Sequence, residues 1–162
     1  MKEFIIAALM MLTSAGVMAG DRLGGYGGIG LSTAYIEYDG IDVNDGAAGI
    51  SAHGGYRYNE YLAVEGSLGV FDYKDWVWGP IYSAGISVMP MLPISENLDG
   101  FLSFDYSVSG SDDYIGNIGD GFGVGIGLMH HFGDMYVRGS IGTTLEEEVT
   151  VLGLGVDIGW HF

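Results

Sequence analysis

The side chains able to do chemistry in this chain are few, and most of them are acids. Five Lys+Arg stand against 21 Asp+Glu. Ser140, His131 and either Glu65 or Asp157 supply the residue types of a nucleophile, a base and an orienting acid. Asp39-x-x-Asp42-x-x-Asp45 and the run Glu146, Glu147, Glu148 supply carboxylate oxygens, which suit Ca²⁺ or Mg²⁺ weakly. The aspartate spacing is not that of an EF-hand. Gly25-x-Gly27-x-x-Gly30 matches a dinucleotide fingerprint, which needs a strand before it and a helix after it. Arg57, Glu65, Asp105, Arg138 and Asp157 could neutralise one another if the fold gathered them on one surface. Which of these meet depends on the elements that carry them.

Composition narrows those elements. The chain has 162 residues, 30 of them glycine, and no cysteine. A disulfide framework and a thiolate metal site are therefore excluded. A net charge of −16 excludes nucleic acid as a partner, because phosphate must be neutralised by basic residues. Mean hydropathy is +0.29, too apolar for a disordered chain. Yet past residue 20 no apolar run reaches the roughly 18 residues of a membrane helix. The apolar residues are hidden in alternation.

Residues 1–19 read as a signal peptide. Lys2 precedes the apolar stretch Phe4 to Leu12, and Val17, Met18 and Ala19 precede a cut after Ala19. From there, residues 20–162 form one domain. Eight segments alternate with period two: 26–38, 47–59, 61–72, 81–90, 100–109, 121–132, 135–144 and 150–162. In the last, Leu152, Leu154, Val156, Ile158, Trp160 and Phe162 share one face. Gly153, Gly155, Asp157, Gly159 and His161 share the other. A soluble sheet would show water a face rich in Lys, Glu and Thr. Here the second face is Gly, Ser and Ala, which suits a cramped interior. The large apolar face then meets lipid, and the fold is an all-β, eight-stranded antiparallel up-and-down transmembrane β-barrel. The fingerprint at Gly25 opens a strand with no helix behind it, so its glycines belong to the inner wall.

Tight turns are expected at Asn59-Glu60 and Gly133-Asp134, and longer acidic connections between the other segments. The stretch 91–99 is the one irregular connection. Two aromatic girdles are expected at the rims. One holds Tyr56, Tyr58, Tyr61, Phe101, Phe132, Tyr136, Trp160 and Phe162. The other holds Tyr35, Tyr38, Tyr73, Trp76, Trp78 and Tyr82. Parity turns Arg57, Glu65, Asp105, Arg138 and Asp157 inward, with His53, His131 and His161. Symmetry about 145–149 sets Arg138 opposite Asp157, and folding near Glu60 sets Arg57 opposite or diagonal to Glu65. Adjacent His130 and His131 point to opposite faces and cannot share a metal.

The chain resembles the small OmpA-like, opacity-type outer-membrane barrel proteins. The likeness lies in the leader, in GGYGGIGLSTAYIEY, in GYRYNEYLAVEGSLGVFDY and in the terminal GWHF. It implies the outer membrane of a Gram-negative bacterium as location, with outer-membrane lipid and lipopolysaccharide as surroundings. It also implies that Trp160 and Phe162 form a signal read by the outer-membrane assembly machinery. A peptidoglycan-binding domain of the kind found after some such barrels is not expected. Deacylases built on such barrels resemble one another in a lipid-facing His-x-Ser pair, which this chain lacks. The expectation is a monomeric structural or surface-interaction protein of the cell envelope, with no catalytic site, metal or cofactor. A narrow porin-like channel for ions or small solutes is the alternative, and a lipid-modifying enzyme the second.

Overall fold

The computed structural model describes residues 22–38, 41–73, 80–111, 114–145 and 149–162. The leader assigned to residues 1–19 lies outside them. Eight strands follow in order: β1 (Gly24–Tyr38), β2 (Ile41–Asn59), β3 (Leu62–Tyr73), β4 (Ile81–Ser95), β5 (Leu98–Ser111), β6 (Tyr114–Phe132), β7 (Met135–Thr144) and β8 (Val149–His161). Each pairs antiparallel with its neighbours, and β1 pairs with β8 to close the ring. Closure leaves no unpaired edge, the condition for strands to cross lipid. No helix long and apolar enough to cross a membrane occurs among the described residues.

The direction of the side chains decides between a soluble and a membrane barrel. Ile29 is 60%, Leu31 68%, Ile50 63% and Phe122 65% exposed. Side chains of this size on the outside of a closed sheet need a lipid solvent. Their alternation partners turn inward, and Gly30 and Gly69 are buried.

Several boundaries differ from the sequence expectation. The irregular connection at 91–99 is a tight turn: β4 runs on to Ser95 and β5 starts at Leu98. Pro90 and Pro93 lie within the extended β4. Both are accommodated, Pro93 beside a register shift between Pro93 and Ser95, where a missing N–H costs little. The first turn sits at Glu60-Tyr61, one residue later than expected, because a bulge between Arg57 and Asn59 shifts the register. Gly133 takes φ +66°, a left-handed value that glycine adopts without a Cβ penalty.

The acidic stretches 39–46 and 110–120 are mostly strand. The β1–β2 pairing continues to Tyr38 and Ile41, and β5–β6 to Ser111 and Tyr114. Their Gly, Asn and Asp content mimics loop composition, yet pairing carries them as strand through register shifts at Glu37/Tyr38 and on either side of Gly110.

Candidate functional site

The inner surface of the barrel is the site to which the candidate residues converge, and it has two unlike halves. Toward the tight turns, it is filled. Tyr136 is 0%, Met89 1%, Met129 3%, Tyr26 4% and Phe101 5% exposed. Each aromatic lies over a glycine directly across the ladder: Tyr26 over Gly55, Phe101 over Gly127, Tyr136 over Gly159. A Cβ on Gly55 would come within 2.6 Å of the Tyr26 ring, and one on Gly127 or Gly159 would strike Phe101 or Tyr136. Glycine at these inner positions is therefore what lets large rings fold down into a narrow ring of strands. Phe101 and Tyr136 belong to this interior and not to the girdle. Tyr56, Tyr58, Tyr61, Phe132, Trp160 and Phe162 do face outward, as do Tyr35 and Tyr82 on the other rim. The side chains of Tyr38, Tyr73, Trp76 and Trp78 lie outside the described residues.

Charges thread the filled half. Arg138 Nε donates to Asp157 Oδ2 at 3.0 Å, and its Nη1 donates to Glu65 Oε2 at 2.6 Å. The register sets Arg138 directly opposite Asp157. The guanidinium also lies 5.9 Å from the Phe101 ring centre. Arg57 does not pair with Glu65. It sits diagonal to Glu65 in the register, but Glu65 is taken by Arg138. Arg57 instead donates from Nη1 to Asp99 Oδ2 at 2.5 Å, and from Nη2 to the Glu60 carbonyl at 2.8 Å. Asp99 falls in the stretch 91–99 expected as a connection, whereas β5 begins two residues earlier than the expected 100–109 and includes it. It is 0% exposed and also accepts from His131 Nε2 at 2.9 Å.

Toward the outer connections the inner wall changes. Gly49, Ser51, Ser83, Gly85, Ser103, Gly123, Gly125, Ser140 and Gly142 are only half-buried, and Ser107 is exposed, so solvent reaches this half. Asp105 is its one inward charge among the described residues. It has no cation within ion-pair distance there. It accepts instead from Ser87 Oγ at 2.5 Å and Ser103 Oγ at 2.9 Å.

The enzyme candidates are not brought together. Ser140 pairs with Gly127 and Gly155, whereas His131 pairs with Tyr136. Four residues of strand separate the two levels, about 13 Å. A nearer approach to a triad is Tyr136, His53 and Asp157. Tyr136 Oη lies 2.5 Å from His53 Nε2, and His53 Nδ1 lies 3.6 Å from Asp157 Oδ1. With Tyr136 and His53 both sealed, no substrate reaches it, and the chain of bonds holds the interior together. His130 faces outward, stacked on Phe132 at 4.3 Å, while His131 faces in. No group of three or more metal-ligating side chains converges among the described residues. The side chains of Asp39, Asp42, Asp45, Glu146, Glu147 and Glu148 lie outside them.

A family model described as outer membrane protein beta-barrel domain matches residues 5–162. The chain belongs to that family. This outer-membrane barrel accordingly resides in the bacterial outer membrane. Solved structures agree in fold. Ail, the attachment invasion locus protein of Yersinia pestis, superposes with a TM-score of 0.60 at 18% identity, over 90% of this chain and 100% of Ail. Neisserial surface protein A gives 0.52 at 15%, over 85% and 97%. A de novo designed transmembrane β-barrel gives 0.52 at 8%, over 88% and 99%. Among curated proteins, none matches by sequence.

Proposed function

We propose that the protein is a non-conducting surface protein of the outer membrane, acting through its outer hairpins and connections and not through a pore or a catalytic site. The filled half of the lumen carries this reading. A solute entering from the outer side meets a layer of rings, methionines and ion pairs with Tyr136, Met89 and Asp99 essentially inaccessible. A channel would need a continuous wet path through that layer.

The outer end supports the surface role. A transmembrane strand needs about 9–11 residues. β2 and β6 each have 19. The hairpins β1–β2 and β5–β6 therefore project beyond the span, on opposite sides of the eight-membered ring. The sequence gives this end Glu37, Asp39, Asp42, Asp45, Asp112, Asp113 and Glu146 to Glu148, with Lys74 as the lone base. Such a face attracts cationic partners and repels polyanions, within a screening length of about 8 Å at physiological salt. Ail has been solved in complex with the heparin analogue sucrose octasulfate. This barrel should show the opposite preference. Trp160 and Phe162 serve as the assembly signal in the same reading.

Calorimetric titration of the detergent-solubilised barrel tests the charge preference. A lysine-rich peptide should bind, and added salt should abolish binding. Sucrose octasulfate should give no heat. Binding of the octasulfate, or indifference to the peptide at low salt, would contradict the surface reading.

A further inference from the structure

The filled half of the lumen contains a histidine pair that ties two strands across a third. His131 on β6 and His161 on β8 meet at Nδ1···Nε2, 3.1 Å. Tyr136 of β7 lies beside both, with ring centres 6.5 Å and 5.3 Å away. His131 Nε2 faces Asp99 Oδ2, an acceptor that fixes a proton on that nitrogen. His131 Nδ1 is then free to accept, and His161 Nε2–H donates to it. His161 Nδ1 is left buried without a hydrogen-bond partner, the place this assignment leaves unprotonated. The bond thus survives with no added proton. It survives with one, because a singly charged pair still has one donor and one acceptor between the rings. With two added protons both facing nitrogens are donors, and the bond cannot exist.

The surrounding groups leave two positive rings poorly compensated. Arg57 of β2 and Arg22, just before β1, both already approach Asp99, at 2.5 Å and 3.6 Å. Asp99 is the one acid bonded to the pair. Asp134, in the β6–β7 turn, accepts a bond from the His161 backbone N–H through its own carbonyl. Tyr26 of β1 and Tyr136 of β7 are neutral neighbours, and His53 of β2 is bonded to Tyr136. His130 points to the outer face.

We propose that this pair is an acid-sensitive latch: taking up a second proton parts His131 from His161 and loosens the filled half of the lumen. The inference rests on the non-conducting reading above. Histidine is the side chain whose charge change lies closest to neutrality, which makes such a device possible in acid. Parting the rings frees the end of β8 from β6 and takes away the packing that holds Tyr136 between them.

The experiment is conductance of the whole barrel in planar bilayers at about pH 7.5 and about pH 3.5, the lower value because a second charge on a buried, poorly compensated pair is taken up only well below the ordinary histidine range. The wild-type barrel should be silent at the higher pH and show openings at the lower. His161→Gln keeps a neutral partner for His131 and should stay silent at both. His131→Gln, tested beside it, should do the same. Openings in either variant that match the wild type overturn the latch, and so does a wild type silent at both pH values. In that last case the non-conducting reading stands. Steady currents at the higher pH would instead remove that reading. If neither variant folds, ring ¹⁵N shifts of the wild type decide. Both rings must be doubly protonated where openings begin, and one ring still neutral there overturns the latch.

Discussion

The two halves of the lumen are built on the same eight strands with the same inward parity, yet one is filled and the other is open to solvent. β8 alone displays the contrast. Gly159 lies under the Tyr136 ring, whereas Gly153, six residues on toward the outer end, has only backbone oxygens at 3.9 Å near its missing Cβ. Glycine is used twice, for opposite ends. In the filled half it is the cavity into which a cross-strand aromatic folds. In the open half of β8 it faces other small residues, Gly142 opposite Gly153 and Ser140 opposite Gly155, and leaves room, although elsewhere in that half Gly49 again takes a cross-strand ring, Phe71. The fold sets the radius of the ring, and the inner residue types decide whether that radius is occupied.

Charge follows the same division. Arg138→Met should have the largest effect, because it strands Glu65 and Asp157 in a filled interior. Loss of one partner of a buried pair costs roughly 3–5 kcal/mol. Combining it with Glu65→Gln and Asp157→Asn should recover most of that, as read by unfolding in detergent. Asp105→Asn in the open half should cost under about 1 kcal/mol, since two serines and water still satisfy the side chain. Equal costs for Arg138→Met and Asp105→Asn would erase the distinction between the halves.

The glycine pair gives the next comparison. Gly159→Ala overpacks Tyr136 and should cost about 1–3 kcal/mol. Gly153→Ala should stay within about 0.5 kcal/mol of wild type. Thermal unfolding of the two variants side by side checks it. Deleting Phe162 should matter less to the folded barrel, below the roughly 1.5–3 kcal/mol of a fully buried side chain, because the residue is 40% exposed. Its effect should appear instead in the amount of protein assembled in the outer membrane of cells. Equal amounts with and without Phe162 would remove the assembly role.

The smallest effect belongs to Ser107→Ala, on the exposed inner wall, at less than about 0.5 kcal/mol.

Much of this was legible in the residues. Period-two alternation with glycine and serine opposite large aliphatics specified the barrel, and hairpin symmetry set Arg138 against Asp157. What escaped reading had physical causes. Phe101 shares the parity of Ser103 and Asp105, and Tyr136 that of Arg138. Both were assigned to the girdle because aromatics near strand ends usually face the interface. Parity carried the correct signal, and the cross-strand glycines Gly127 and Gly159 would have reinforced it. Asp99 escapes because it lies just before the expected start of its strand at residue 100, inside the stretch 91–99 whose alternation is broken by Pro90 and Pro93. The Arg57 to Asp99 bond joins β2 to β5, and the His131 to His161 bond joins β6 to β8. Neither links adjacent strands, so pairing arithmetic along one hairpin does not reach them.

The seal itself is tested most directly by ion flux at neutral pH. Purified wild-type barrel in a planar bilayer should give no channel currents, because the layer around Tyr136 and Met89 fills the ring. Tyr136→Ser combined with Met89→Ala should open a path and give currents, provided the variant retains its heat-modifiable gel shift. Steady conductance by the wild type, or silence from the folded double variant, would contradict the assignment of the seal to that layer.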